Sequence, residues 1–253
     1  MNYHGIYSLY HFELKRFFRT LIQSVVSPIL TTSLYFLVFG AALGSRISSI
    51  NGIDYSSFIL PGLVMLTILS NSLSNASFSI FFKKFNKTMD ELLSAPLSSL
   101  EIVIAFCGAS ATKSMIIGLI IISTSTFFID LEIQHPILML FFLLLISITF
   151  SLFGLIIGIF ADNFERLSLI PILVITPLSM LGGIFFSIDM LSDLWRNVSL
   201  LNPILYLISG FRWSFYEISD VSLFTSIVTI LSFLFLCIFL ITYIFKTGYK
   251  LKN

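Results

Sequence analysis

PILMLFFLLLISITFSLFGLIIGIF, running from Pro136 to Phe160, contains no charged side chain. A helix needs roughly 20 apolar residues to cross the hydrocarbon of a bilayer. A strand buried in a soluble core is much shorter, and this run shows no polar/apolar alternation. It reads as a transmembrane helix. Similar runs lie on either side, at about 24–43, 58–82, 102–128, 167–186 and 221–245. The 253 residues are 57% hydrophobic and only 11% charged. Soluble domains carry about a quarter charged residues, so this chain could not cover itself with polar surface in water. The expected fold class is all-α: a polytopic membrane protein of six spans in a single domain, residues 1–253.

The polar interruptions carry the remaining information. Before the first span, residues 3–20 place Ile6, Leu9, Tyr10, Leu14, Phe17 and Phe18 on one helical face. Lys15, Arg16 and Arg19 lie opposite, and Glu13 intrudes at the apolar edge. This pattern predicts an amphipathic helix in the membrane surface rather than a cleavable signal. Residues 83–97 form a short charged helical pattern with Lys83, Lys84, Asn86, Lys87, Asp90 and Glu91, ended by Pro96. Such a segment either presses on a partner or is a solvated loop. The semi-polar stretch 188–212 is too short to span, too apolar for a free loop, and broken at Asn202 and Pro203. A re-entrant pair of short helices fits it.

Lysine and arginine set the orientation. With the N-terminus inside, Lys15, Arg16, Arg19, Lys83, Lys84, Lys87, Arg166, Lys246, Lys250 and Lys252 are cytoplasmic. Only Arg46, Arg196 and Arg212 are outside, a clear positive-inside bias that puts both termini in the cytoplasm. The expected location is the cell inner (plasma) membrane. A net charge of +1 gives no bias toward a polyanion, so no nucleic-acid partner is expected.

Nothing in the sequence assembles a catalytic centre. Cys107 and Cys237 sit within apolar runs and read as packing residues, and His4, His11 and His135 show no metal spacing. Gly108-Ala-Ser-Ala-Thr-Lys113-Ser114 lacks the glycine before the lysine that a phosphate loop requires, and it lies inside a span. The chain is therefore not expected to be an enzyme or to bind ATP itself. Lys113 falls near mid-bilayer, where a cation faces the bundle interior or water. It either contacts a transported molecule or bonds the polar stripe Asn71 and Asn75 on the second span. The 28 phenylalanines line a path or simply face lipid. Gly182 and Gly183 permit a helix break or a close backbone approach. Arg212 could pair with Glu217 or Asp189, or meet anionic lipid headgroups. These residues, with Gly210, either shape the re-entrant turn or meet substrate. A secondary transporter would show an internal repeat, which is not evident. A membrane assembly scaffold is a further alternative.

The order of short motifs resembles one family over almost the whole chain. Glu13-Leu-Lys-Arg-Phe-Phe-Arg-Thr20 is followed by Pro28, Leu34-Tyr35-Phe36 and Phe39-Gly40. Then come Tyr55-x-x-Phe58-Ile-Leu-Pro61-Gly62-Leu63 and Asp90-Glu91-Leu92-Leu93-x-Ala95-Pro96. Leu181-Gly182-Gly183-Ile-Phe185-Phe186-Ser187-Ile-Asp189-Met-Leu191 leads to Leu201-Asn202-Pro203-Ile204 and Ile208-Ser209-Gly210-Phe211-Arg212. The chain resembles the ABC-2 type transporter permeases, in particular the short ones grouped with drug, polysaccharide and nodulation-factor exporters. The resemblance implies two paired permeases and two separate ABC ATPase subunits, which hold the ATP and magnesium. Residues 83–97 would be the coupling helix. Residues 3–20 would be the interface helix, with Glu13, Arg16 and Arg19. Segment 188–212 would line the outer mouth of an export path.

Overall fold

The computed structural model describes residues 2–19, 22–41, 44 and 49–251. Thr20, Leu43, Arg46 and Lys252, used above, lie outside these. Helix α1 (Tyr3–Arg19) precedes α2 (Ser27–Tyr35), which is extended by π-helical turns at Ile22–Val26 and Phe36–Ala41. A two-residue hairpin, β1 (Ser49–Ile50) with β2 (Ile53–Asp54), leads into α3 (Tyr55–Phe85). There follow α4 (Met89–Ser94), α5 (Ser99–Ser125), α6 (Pro136–Phe160) and α7 (Phe164–Leu181), the last with a π-helical turn at Pro171–Ile175. Two short helices, α8 (Asp193–Leu200) and α9 (Pro203–Tyr216), come before α10 (Leu223–Thr247). Apart from the hairpin, the described regular structure is helical, as helices in hydrocarbon must be to satisfy their own backbone.

Five helices are long and apolar enough to cross a membrane: α3, α5, α6, α7 and α10. The 24–40 run gives a sixth when joined to α1, from which it bends by 82°. Helix α9 is 14 residues and α8 only 8, so neither crosses alone. The helix breaks at Asn202–Pro203, and α9 runs to Tyr216, four residues beyond the expected segment. The fifth run stops as a helix at Leu181 because Gly183 adopts a left-handed conformation (φ 80°), which glycine alone takes without strain.

The core is built on α3, α5 and α6, whose apolar windows are 67%, 61% and 67% buried, against 17% for α7 and 22% for α10. Helices α3 and α6 pack most extensively. Gly154 and Gly158, four residues apart on α6, allow it. A Cβ at either would lie 2.9 Å from the Cα of Leu73 or Ser77 on α3. Lipid tails are as apolar as leucine, so close backbone approach of small residues is what drives such helices together. The hydroxyls of α3 bond their own helix: Ser72 donates to the Ile68 carbonyl (2.6 Å) and Thr67 to that of Leu63 (3.0 Å).

Candidate functional site

The two ends of the bundle carry different chemistry. At one end the chain turns through an elbow, residues 182–190, into α8 and α9. Arg212 of α9 is fully buried and forms an ion pair with Asp220 (2.9 Å), whose side chain is 2% exposed. The same guanidinium donates to the Gly183 carbonyl (2.5 Å) and lies 3.8 Å from the centre of the Phe58 ring on α3. Asp220 also accepts from the Ser187 hydroxyl and the Ile188 backbone N–H (3.2 Å). A buried charge needs a partner and further hydrogen bonds, and this cluster supplies both. The partner is thus Asp220, not Glu217 or Asp189. Glu217 instead bonds His135 (2.7 Å), and Asp189 pairs with Arg196 (3.1 Å) on the surface.

The helix break is fixed by Asn202. Its Oδ1 accepts the Ile204 backbone N–H (3.0 Å), capping α9, while Nδ2 donates to the Leu178 carbonyl at the end of α7 (2.6 Å). Pro203 fits the first position of α9, where no N–H is needed. Gly210 packs against Phe142 and Ser226, and Gly182 against Ile208. Of the residues expected at an outer mouth, only Asp189 and Pro203 are exposed; Gly182, Gly183, Asn202, Gly210 and Arg212 are buried as bracing.

The other end collects the basic residues. Helix α3 ends at a tight turn: the Asn86 N–H donates to the Phe82 carbonyl (3.0 Å), and Lys87 takes a left-handed φ of 57°. Helix α4 is amphipathic in miniature. Met89 is buried among Ile80, Ile102 and Ile159, with Leu92 and Leu93 packed beside it, while Asp90 and Glu91 point to solvent. The same apolar cluster holds residues of α3, α5, α6 and, with Ile241 and Ile244, α10. Asn86, Lys87 and Pro96 are exposed and Lys83 half-buried, with its ammonium 5.1 Å from the centre of the Phe12 ring. Lys84 differs. It is buried and donates to the carbonyls of Ile159 (2.8 Å) and Ala161 (3.3 Å), closing the end of α6 where backbone acceptors are unpaired. Nearby, Lys250, with Arg166 and Lys84, holds the Asp162 carboxyl below its usual range.

Helix α1 lies across α5 at this end. Its Asn2 N–H donates to Glu101 (2.5 Å) and its Asn2 amide to the Pro96 carbonyl (3.2 Å). Tyr10 hydrogen-bonds Thr112 (3.0 Å). Glu13 is the surprise: an edge residue by sequence, it is 1% exposed. Arg16 pairs with it (2.9 Å), and the Ser79 hydroxyl of α3 donates to it (2.8 Å). Arg19 is exposed. Lys113, 2% exposed, lies within electrostatic range of Arg16 and Glu13. It makes no hydrogen bond to Asn71 or Asn75, whose amides donate along α3 to the carbonyls of Thr67 (2.9 Å) and Asn71 (2.8 Å).

Two further anchors have local sequence signals. Ser98 and Glu101 form a capping box on α5, and Gly154-x-x-x-Gly158 is a small-residue packing motif. No local signal joins Arg212 to Asp220 rather than to Glu217, which is nearer in sequence, or Glu13 to Ser79. No group of three metal-ligating side chains occurs among the described residues.

The architecture defines a polytopic helical membrane protein with a short charged helix at one end and a braced elbow at the other. The profile of the ABC-2 type transporter family matches residues 4–216, and the chain belongs to that family. It is 38% identical to the inner membrane transport permease YadH of Escherichia coli K12 over 91% of both chains. It is also 24% identical to nodulation protein J of Neorhizobium galegae, over 75% of this chain and 72% of that one. The putative transport permease ycf38 of Cyanophora paradoxa is 28% identical over 79% and 69%. The chain is thus a membrane permease subunit of the ABC class, which works with an ABC ATPase and is not itself the ATPase. Family membership settles the choice between this reading and the ATP-independent alternatives.

Proposed function

We propose that two copies of this chain pair in the inner membrane to form the path of an ATP-driven exporter, each receiving one ATPase subunit on its basic end. Each copy contributes six spans, with both termini cytoplasmic. The ATP and magnesium reside on the partner. The observation that carries the reading is α4: Met89 is buried in one apolar cluster with residues of α3, α5, α6 and α10, while Asp90 and Glu91 face outward. A helix with this division moves as one body with the bundle. Helix α1, tied to Pro96, Glu101, Thr112 and Ser79, adds a second contact that moves with it. Closure of the ATPases on ATP would tilt α3 and α5 through these anchors and open the elbow end. Both described chain ends lie on the α4 side: α1 beside Leu97, and Leu251 in the cluster around Met89. This supports a cytoplasmic placement of both.

The test is charge reversal on the exposed side of α4. Glu91→Lys and Asp90→Lys are expected to abolish co-purification with the ATPase while leaving the permease folded in detergent. Retention of a fully coupled, exporting complex would sink the coupling role. Cysteines at Asn86 and Ser192, labelled from outside the cell, test the orientation: labelling at Asn86 or silence at Ser192 would reverse it.

A further inference from the structure

At the basic end, the start of α5 and the end of α10 lie side by side, and a groove of about 240 Å³ separates them. Leu100 and Val103 of α5, with Ile241 and Phe245 of α10, give it an apolar wall. Lys246, in the last turn of α10, also lines it and is exposed. Its ammonium forms no ion pair or hydrogen bond among the described residues. Lys84 and Lys250 differ, because one bonds the end of α6 and the other pairs with Asp162. The hydroxyls of Ser99 and Thr242, in the same lining, have no hydrogen-bond partner among the described residues. No carboxylate lines the groove among them. Glu101, in the first turn of α5, is buried, and its oxygens accept the backbone N–H groups of Asn2 and Ser98.

The depth of the groove follows from its surroundings. Exposed Tyr243 and Tyr249 bracket Lys246 in sequence, and tyrosine in such a place marks the headgroup level of a bilayer. Further into the spans, Ile104 of α5 and Leu240 of α10 are exposed apolar residues that face hydrocarbon. The cation therefore sits at headgroup level, above an apolar floor.

We propose that this groove seats a phospholipid with an anionic headgroup. The upper segment of one acyl chain lies against Val103, Ile241 and Phe245. The phosphate meets the Lys246 ammonium and accepts from the Ser99 and Thr242 hydroxyls. The volume is below the roughly 300–1,000 Å³ that encloses a whole drug-sized ligand, so the groove takes one segment of a longer molecule. A free phosphate would use the ammonium and none of the apolar wall. A zwitterionic lipid brings its own cation beside the lysine. The assignment needs only a membrane and does not depend on the transport reading.

Native mass spectrometry of the full-length permease in detergent tests this with three probes: dioleoyl phosphatidylglycerol, dioleoyl phosphatidylcholine and glycerol 3-phosphate. Phosphatidylglycerol is expected to bind about fivefold tighter than phosphatidylcholine, the scale of one basic residue against an anionic headgroup. Lys246→Gln should erase that preference, Lys246→Arg should keep it, and Lys250→Gln should leave it unchanged. Thr242→Phe fills the groove while leaving Lys246 in place, and should weaken retention of phosphatidylglycerol about fivefold at an unchanged melting temperature. Equal retention of the two lipids, or a preference untouched by Lys246→Gln, would overturn the assignment. Equal loss in Lys250→Gln would do the same, by showing a diffuse field rather than a site, and retention of glycerol 3-phosphate would show a free-anion site instead. Quantitative disulfide dimers of Ser99→Cys would also overturn it, because a second copy would then cover the groove.

Discussion

The elbow and the basic end both bury charge, and they use it differently. At the elbow, Arg212 and Asp220 are 0% and 2% exposed, and their remaining bonds go to Gly183, Ser187 and Ile188. The pair joins α9, the turn after it, the end of α7 and, through Phe58, the start of α3. At the basic end, the anion Glu13 is 1% exposed but its partner Arg16 is 36% exposed, and the acids of α4 face solvent. One region is a brace that excludes water. The other anchors its apolar side and leaves the acids of α4 in solvent. Buried ion pairs are costly to break and surface charges nearly free, so mutations should separate the two regions cleanly.

The largest effect is expected at the brace. Arg212→Ala strands the Asp220 carboxylate and should cost about 3–5 kcal/mol, read as thermal unfolding in detergent. The double variant R212L/D220L should recover much of that loss; a double variant as unstable as the sum of the singles would argue against the ion pair as the brace. Next comes the α3–α6 contact shared by both regions. Gly158→Val forces a side chain into the Ser77 backbone and should cost about 1–3 kcal/mol by overpacking. Ser79→Ala leaves Glu13 with one donor fewer and should cost about 1 kcal/mol, with weakened docking of α1 against proteolysis. Glu91→Lys should change stability by less than about 0.5 kcal/mol while removing ATPase binding, the reverse of the pattern at Arg212.

The smallest effect is electrostatic. Asp162 is held below its ordinary pKa of 3.8, first by Lys250. A depressed carboxyl contributes stability above its unfolded pKa and loses it as pH falls through the folded value. The melting-temperature gap between wild type and Asp162→Asn should therefore be constant above pH 3.8 and close below it. A gap that widened on acidification would contradict the pairing with Lys250.

How much of this was legible depended on whether the determinant was local. The apolar runs announced helices because a bilayer demands long uninterrupted spans, and Asn202–Pro203 announced a break because proline lacks an N–H. Of the six apolar residues that periodicity put on one face of residues 3–20, Ile6, Leu9, Tyr10, Leu14 and Phe17 are at least partly buried, whereas Phe18 is exposed. Periodicity set Glu13 at the apolar edge, but it cannot see that Ser79 and Arg16 meet the carboxylate there. Lys84 likewise counted as one basic residue among several in its loop, but it caps the end of α6. Proximity in sequence suggested Glu217 for Arg212, whereas the elbow turns the chain so that Asp220 meets the guanidinium.

The sequence by itself therefore determined a helical membrane protein, its approximate spans, its polar interruptions and the family to which they belong. These follow from hydrophobic period, length and breakers, which act within a few turns of chain. Only the tertiary structure decided which charges are braces and which are free, and that α5 and α10 leave an apolar groove beside Lys246. Such outcomes depend on side chains that turns and packed helices bring together, where the low-dielectric interior makes each pairing consequential.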